Sequence, residues 1–488
     1  MSAAQSVEFD DIQGLVRFGF KHLTQASFVL LRVRNVEAAR AWLAHAPVTS
    51  AMTRKPPPRT ALQIAFTAAG LRALGLAEDI VEGFSPEFLG GMSDASRARR
   101  LGDRGANDPN EWAWGGATQS TPHVLVMLYA VPGGLNAWQQ TVSAQCKAGF
   151  DQLACLGTSD MDGVEPFGFV DGIAQPLIDW ERRRAARDQE QFEYTNLACL
   201  GEFLLGYPNE YGAYTDRPLL DPRRDPTALL VRAEDEPAKA DLGRNGSYLV
   251  LRQLRQDVEG FWRFVDKQAG GGPALRKHLA EAMVGRTMEG EPLAGRANTA
   301  VAGTDDPLDS FTYRADPDGL RCPLGAHIRR SNPRNADLPP SASNPIARLV
   351  RRLGFGGGDS LRNDLIASTR FHRLLRRGRE YGGAGEETGL HFICLGANIA
   401  RQFEFVQGAW LAAAKFDGLP DESDPLLGHR LPGADGRSTD GFSIPVASGP
   451  DQRLSGLPQF VTVLGGAYFF LPGIRALRYL SKVGELIR

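Results

Sequence analysis

The stretch RCPLGAHIRRSNPR, from Arg321 to Arg334, holds an unusual combination of residues. A single histidine, His327, follows two small residues, Gly325 and Ala326. A lone histidine beside small residues is more often an ordinary core or surface residue whose hydrogen bonds are satisfied. The functional alternative is an imidazole that ligates a metal, with the small residues leaving space for a macrocycle. Arginines bind carboxylates through paired hydrogen bonds, and three of them follow the histidine: Arg329, Arg330 and Arg334.

A second dense cluster is the stretch EPFGFVDGIAQP, from Glu165 to Pro176. Its single aspartate, Asp171, lies between Gly168 and Gly172. Glycines let the backbone come close to a flat ligand while one carboxylate points at it. An Asp-Gly pair after an apolar run is nevertheless more often a plain turn. Neither cluster identifies a function by itself.

Strand-like and helix-like segments alternate along both halves of the chain. The β-rich runs are Ser27–Val33, Thr60–Thr67, Pro122–Ala130, Ser247–Leu254 and Gly389–Leu395. Segments with apolar residues three or four positions apart follow them, as amphipathic helices require. This order predicts an α+β fold of two units with mainly antiparallel sheets. A doubly wound parallel sheet is the alternative, because the strands are apolar enough for either.

Two helices of the second half can be placed from the sequence. Asp257 is a candidate N-cap for a helix whose apolar residues Val258, Phe261, Trp262 and Val265 share one face. A later helix is marked by four apolar residues three or four apart, namely Ile399, Phe403, Val406 and Trp410.

Composition limits the class of protein. The 488 residues are enough for two or three domain-sized cores. The net charge of −2 and the pI of about 6.5 argue against a nucleic-acid or anionic-membrane partner. No secretory or twin-arginine signal is recognisable in residues 1–20, and no stretch approaches the roughly 18 apolar residues of a membrane span. We therefore expect a cytoplasmic protein.

Several classes of site are excluded by motif. The sequence has no P-loop, HExxH, GxSxG or Rossmann glycine run. Its five cysteines are widely spaced and include no CxxC pair, which argues against a disulfide framework, a zinc or iron–sulfur site and covalent haem attachment.

Taken together and in order, these stretches resemble the dye-decolorizing peroxidase family. The resemblance is carried by GxxDG at Gly168–Gly172 and by CPxGAHIRRxNPR at Cys322–Arg334. Further matching segments span nearly the whole chain: DIQG at 11–14, RRGREYG at 376–382, GLHF at 389–392, DGFS at 440–443 and GGAYFFLP at 465–472. The chain is identified as a member of one of the larger subgroups of this family.

The resemblance implies a fold and a cofactor. The expected fold has two ferredoxin-like domains with antiparallel sheets. The first, residues 1–200, ends in the GxxDG region. The second, residues 201–488, binds non-covalent haem b and carries a long insertion around residues 335–370.

The resemblance also implies roles for individual residues. His327 is expected to be the proximal ligand of the haem iron, Asp171 the distal acid–base residue and Arg376 the distal cation. Asp424 is a candidate for the acid that accepts the N–H of the proximal imidazole. The other residues expected to bind the cofactor are Gly168, Arg329, Arg334, Leu390 and Phe392.

Some alternatives stay open at this point. Arg373 or Arg377 could be the distal arginine instead of Arg376. His391 should point away from the pocket that holds Leu390 and Phe392, because side chains alternate along a strand.

The expected function is peroxide-dependent oxidation of bulky dyes, phenols and related aromatic reductants. A haem-binding or iron-release protein on the same fold is the first alternative, and a haem-free interaction protein is the second. The expected partners are hydrogen peroxide and small aromatic reductants. The oligomeric state, monomer or homodimer, is open.

Overall fold

A computed structural model describes residues 6–160, 163–183, 195–296, 306–335, 368–383, 385–433 and 435–483. The predicted insertion around residues 335–370 therefore lies almost entirely outside the described residues. The strands of the described parts are β1 (Gln25–Val33), β2 (Thr60–Phe66), β3 (Val124–Ala130), β4 (Phe150–Gly157), β5 (Leu177–Ile178), β6 (Leu197–Ala198), β7 (Leu219–Leu220), β8 (Ala240–Asp241), β9 (Ser247–Gln256), β10 (Leu375–Arg376), β11 (Arg379–Tyr381), β12 (Gly389–Gly396), β13 (Phe442–Ile444), β14 (Gln452–Leu454) and β15 (Val461–Leu471).

Helices surround these strands. In the described ranges they are α1 (Leu15–Phe18), α2 (Val36–His45), α3 (Ala68–Ala73), α4 (Glu78–Val81), α5 (Pro86–Gly90), α6 (Ala95–Leu101), α7 (Leu135–Cys146), α8 (Val258–Ala269), α9 (Pro273–Val284), α10 (His327–Ser331) and α11 (Ile474–Lys482). Two π-helical segments, Ala400–Glu404 and Val406–Leu411, precede α11. None of the described helices is long and apolar enough to cross a membrane.

One large sheet organises the molecule. Its strand order is β10-β12-β9-β15-β2-β3-β1-β4, with β11 also paired to β12. Every pairing within it is antiparallel. The predicted antiparallel α+β architecture is thus confirmed, and the parallel alternative is wrong for this sheet. Strands from the two halves of the chain meet where Phe470 of β15 pairs with Phe66 of β2.

The sheet is buried on both faces, which explains why its strands read as continuous apolar runs. In β1, Val29 and Leu31 belong to the core on one face, whereas Phe28 and Leu30 belong to the core on the other. The division of the chain at residue 200 stays a prediction, because strands from both halves share one sheet.

The residues next to β9 determine where the following helix, α8, begins. The Asp257 side chain accepts a hydrogen bond from the Gly260 N–H at 2.8 Å, which confirms it as the N-cap of α8. A cap of this kind contributes about 1 kcal/mol. Phe261 and Val265 are buried on the helix face that meets the core.

Candidate active site

A cavity of about 310 Å³ lies against one face of the C-terminal half of the sheet. This volume falls in the range of ligand pockets, roughly 300–1,000 Å³. The sheet lines it with Leu254 of β9, Leu390 and Phe392 of β12, and Val463 of β15. β12 alternates as expected: the His391 side chain lies on the opposite face, where its Nε2 donates to the Gly157 carbonyl at 2.9 Å.

His327 enters the cavity as the first residue of α10. Its Nδ1 lies 3.0 Å from Oδ2 of Asp424, which is fully buried. The other carboxylate oxygen of Asp424 accepts the backbone N–H groups of Leu426 and Leu427 at 2.9 and 2.8 Å. The carboxylate is therefore fixed in place, and it holds the imidazole with Nδ1 as the donor. No described residue hydrogen-bonds to Nε2, so this nitrogen is left for a ligand in the cavity.

Electrostatic attraction stabilises the His327–Asp424 pair. Burial alone would lower the pKa of His327, but the Asp424 carboxylate outweighs it and raises that pKa above 6.5. Burial would also raise the pKa of Asp424, yet the charges and hydrogen bonds around it, chiefly those of His327, lower it. Asp424 therefore stays ionised and makes the imidazole more electron-rich.

The small residues before His327 do not open the cavity, contrary to the sequence interpretation. A Cβ on Gly325 would point at Leu419 and Phe442, 3.4 Å away. Ala326 is fully buried and packs near Gly285. Both residues allow the start of α10 to pack closely against its neighbours.

Asp171 and Arg376 form an ion pair at the wall of the same cavity. Nη1 of Arg376 donates to Oδ1 of Asp171 at 3.0 Å, and Nη2 donates to the Ala174 carbonyl at 3.1 Å. The backbone N–H of Arg376 donates to Gln175 Oε1 at 3.0 Å. Asp171 is 40% accessible and Arg376 34%, and both line the cavity, so the pair presents its free surface to a ligand there.

The electrostatics of Asp171 keep it ionised. Burial raises its pKa, but the charge of Arg376, the Gly172 N–H and the Arg376 hydrogen bond together bring the pKa below 3.8. Its loop depends on glycine, because Gly168 has φ +101° and Gly172 has φ +75°, where other residues are strained. Gly168 itself does not line the cavity; its neighbours Phe167 and Phe169 do.

The structure separates the three candidate distal arginines. Arg377 lies on the other side of the sheet, where it donates to the carbonyls of Leu15 and Val16. Arg373 lines the cavity but is directed at the Thr195 carbonyl and the Asn196 side chain. Arg376 is the arginine that the fold brings to Asp171.

Known proteins resemble this chain in both sequence and fold. No protein-family model matches the chain. It is 28% identical over 449 residues to the multifunctional dye peroxidase DyP2 of Amycolatopsis sp., covering 86% of this chain and 82% of that protein. It is 27% identical over 505 residues to the dye-decolorizing peroxidase AauDyP1 of Auricularia auricula-judae, covering 97% and 87%. A solved fungal DyP-type peroxidase from Auricularia auricula-judae superposes with a TM-score of 0.72 at 25% identity, covering 98% of this chain and 100% of that one.

The chain is similar to dye-decolorizing peroxidases over nearly its whole length. Dye-decolorizing peroxidases are haem enzymes that use hydrogen peroxide, and the chain is a peroxidase of this type. The DyP-type peroxidase of Anabaena sp. has the same fold, with a TM-score of 0.70 at 22% identity over 97% of this chain.

The donor set fits the cofactor of a dye-decolorizing peroxidase. Within the described residues no group of three or more His, Cys, Asp or Glu side chains could hold a bare metal ion. The imidazole of His327 instead faces a cavity lined by Leu254, Leu390 and Phe392. The iron of haem is already coordinated by its macrocycle, so a single protein ligand of this kind is enough to hold it.

Positive charge at one end of the cavity fits the carboxylates of haem. Arg286 and Arg334 both line this end and are almost fully buried. Burial and the nearby charge of Arg334 lower the pKa of Arg286 to about 10. The Asp309 carboxylate, which pairs with Arg334 and lies 4.0 Å from Arg286, offsets part of this repulsion, and a bound anion would offset more of it. Arg286 follows α9 outside any recognisable motif, so it could not be found from the sequence alone.

Not every predicted cofactor residue reaches the cavity. Arg329 is buried and donates to the carbonyls of Asp316 and Cys322, so it is not available to a propionate. Arg330 donates to the carbonyls of Trp410 and Glu422. Both arginines fix the loops around α10 instead. Only Arg334 of the three lines the cavity, where it also pairs with Asp309.

Proposed function

We propose that this chain oxidises dyes, phenols and related aromatic reductants with hydrogen peroxide, using non-covalent haem b held by His327. The observation that carries the proposal is that one cavity presents both the imidazole of His327 and the Asp171–Arg376 ion pair. A dye-decolorizing peroxidase of the same fold has been solved in complex with 2,6-dimethoxyphenol. Non-covalent binding is supported by the absence of a CxxCH motif from the sequence.

The roles of the residues follow from their chemistry. Haem, when bound, supplies the iron that coordinates peroxide and the electrons that cleave its O–O bond. Asp171, ionised because its pKa is lowered, would accept the proton of one peroxide oxygen, here called the inner one. The same carboxyl then donates that proton to the outer oxygen, which leaves as water. The guanidinium of Arg376 stabilises the negative charge that develops on the outer oxygen.

The Asp171–Arg376 pair also favours catalysis over haem carriage. A carrier or iron-release protein needs a ligand and a pocket, but no proton acceptor beside a cation on the cavity wall. The decisive experiment is dye oxidation by the haem-loaded protein, which should require both haem and peroxide. Dye oxidation that is no faster than with free haemin would contradict the proposal.

The first prediction concerns the cofactor itself. Protein mixed with haemin should develop the Soret band of a histidine-ligated haem, and acidified organic solvent should then extract all of the haem. The reason is that, of the described cysteines, none lines the cavity and none can form a thioether link. Failure to bind added haemin would contradict the proposed function, and haem left in the protein phase would contradict non-covalent binding.

The second prediction concerns Asp424. Asp424→Asn keeps the shape of the side chain but removes the charge that polarises His327. Loss of such a partner typically lowers metal affinity or activity by about 10–100-fold. The haem reduction potential should rise as well, because a less electron-rich imidazole stabilises ferric iron less, and spectroelectrochemistry measures this shift. Asp421→Asn is the matched control, since Asp421 pairs with the exposed Arg437 at 3.3 Å. Equal potentials in the two variants would contradict the role of Asp424.

A further inference from the structure

A buried tyrosine–carboxylate pair lies close to the cavity. The hydroxyl of Tyr468, on β15, donates to Oε1 of Glu404 at 3.0 Å. Tyr468 is 2% exposed and Glu404 is 5% exposed. A hydrogen-bonded carboxylate beside a phenol is an acceptor to which the phenolic proton can move without entering water.

Aromatic rings connect Tyr468 to the cavity. The ring of Phe403 lies 6.2 Å from that of Tyr468, centroid to centroid, and 6.1 Å from that of Phe392. Both phenylalanines line the cavity. Tyr468 is therefore separated from the cavity by a single ring.

The charges around the pair fix the direction of the hydrogen bond. Nη1 of Arg97 donates to Oε2 of Glu404 at 2.9 Å and lies 3.4 Å from Glu87. Glu404 therefore keeps one oxygen for Arg97 and the other for the phenol. Burial, together with the negative charge of Glu404, raises the pKa of Tyr468 well above its ordinary value. The phenol stays protonated, so its oxidation has to be accompanied by release of the proton.

We propose that Tyr468 and Glu404 form a proton-coupled redox site that stores one oxidising equivalent from the peroxide-oxidised haem. One electron leaves the phenol through Phe403 and reduces the oxidised haem by one electron. The phenolic O–H bond breaks as a new O–H bond forms on Glu404 Oε1. The products are a neutral phenoxyl radical and a neutral carboxyl group. An aromatic reductant later returns the electron through the haem and Phe403, and Glu404 returns the proton.

The inference rests on the proposed peroxidase function, and it adds a function for residues that do not touch peroxide. Because Tyr468 is buried, bulky substrates cannot reach it. The site would therefore hold the oxidising equivalent when no reductant is present, rather than serve as a surface contact for dyes.

The test uses electron paramagnetic resonance on the haem-loaded full chain. The protein is mixed with one equivalent of hydrogen peroxide without reductant and frozen. We expect a tyrosyl signal whose hyperfine structure collapses when ring-deuterated tyrosine is incorporated. Tyr468→Phe should lose this signal. Tyr248→Phe is the matched control, because Tyr248 is equally buried on neighbouring β9 but accepts from the Ser85 N–H instead of donating to a carboxylate. It should keep the signal.

Proton transfer is tested separately. Glu404→Gln should lower the yield of the radical, and in the parent protein D2O should slow its formation. A tyrosyl signal that persists in Tyr468→Phe, or a rate unaffected by D2O, overturns this proposal alone if peroxide still shifts the Soret band. A Soret band that peroxide leaves unchanged overturns the proposed function as well.

Discussion

His327→Ala should abolish normal haem binding, which is the largest effect expected of any single change in this chain. Among the described histidines that line the cavity, His327 is the one whose Nδ1 is held by a buried carboxylate, that of Asp424, at 3.0 Å. Its Nε2 has no described hydrogen-bond partner. Removing the imidazole takes away the proposed protein ligand of the iron, so haem should either dissociate or bind with a shifted Soret band. Haemin titration followed by absorbance measures both outcomes.

Two controls make this prediction specific. His429→Gln changes another histidine that lines the cavity, and it should leave the Soret band in place. Adding imidazole to His327→Ala should restore a histidine-like spectrum, because the free ligand can occupy the space of the lost side chain. Normal haem binding in His327→Ala, together with loss of haem in His429→Gln, would show that the motif assigns the wrong ligand.

Much of the fold was predictable because hydrophobic patterns follow local geometry. The strands β1, β2, β3, β9 and β12 correspond to apolar runs in the sequence. The two-residue strands β5 to β8 are too short to leave a periodic pattern. The apolar spacing from Ile399 to Trp410 predicts a helix, but it cannot distinguish α from π geometry. The Ile399 carbonyl accepts from Glu404 N, five residues on, as in a π-helix.

The candidate site was predictable where its residues lie in dense motifs. His327 and Asp171 each stand in such a motif, but Asp424 lies 97 residues from His327 and is joined to it only by tertiary folding. Arg376 and Arg377 are adjacent, so strand alternation sends them to opposite faces, and the sequence alone does not say which face holds the cavity. The Tyr468–Glu404 contact spans 64 residues and has no sequence signal of its own.

Arg376→Leu should slow the reaction with peroxide by about 10²–10³-fold, the usual effect of removing one group that stabilises developing charge. Haem binding should change little, because Arg376 is directed at Asp171 and Ala174. Stopped-flow absorbance at the Soret band gives the rate constant, and haemin titration gives the affinity. Arg373→Leu and Arg377→Leu are the controls, since neither guanidinium contacts Asp171. A large kinetic defect in either control, but not in Arg376→Leu, would reassign the distal arginine.

The pH dependence of the rate constant for the reaction with peroxide tests the role of the Asp171–Arg376 pair. The carboxylate of Asp171 is the proposed proton acceptor, and its pKa is held below the ordinary value because Arg376 and the Gly172 N–H together outweigh burial. The acceptor form therefore persists as the pH falls, and the rate should decline only below the ordinary pKa of an aspartate, about 3.9. A histidine, with an ordinary pKa near 6.5, is already protonated at that pH. In Arg376→Leu the effect of burial remains without the opposing charge, so the pKa of Asp171 rises and the acid limb moves to higher pH. Asp171→Asn has no titrating group and should show no acid limb at all. If Asp171→Asn reacts as fast as the parent at every pH, Asp171 is not the acid–base residue, and Arg376 would have to act through water alone.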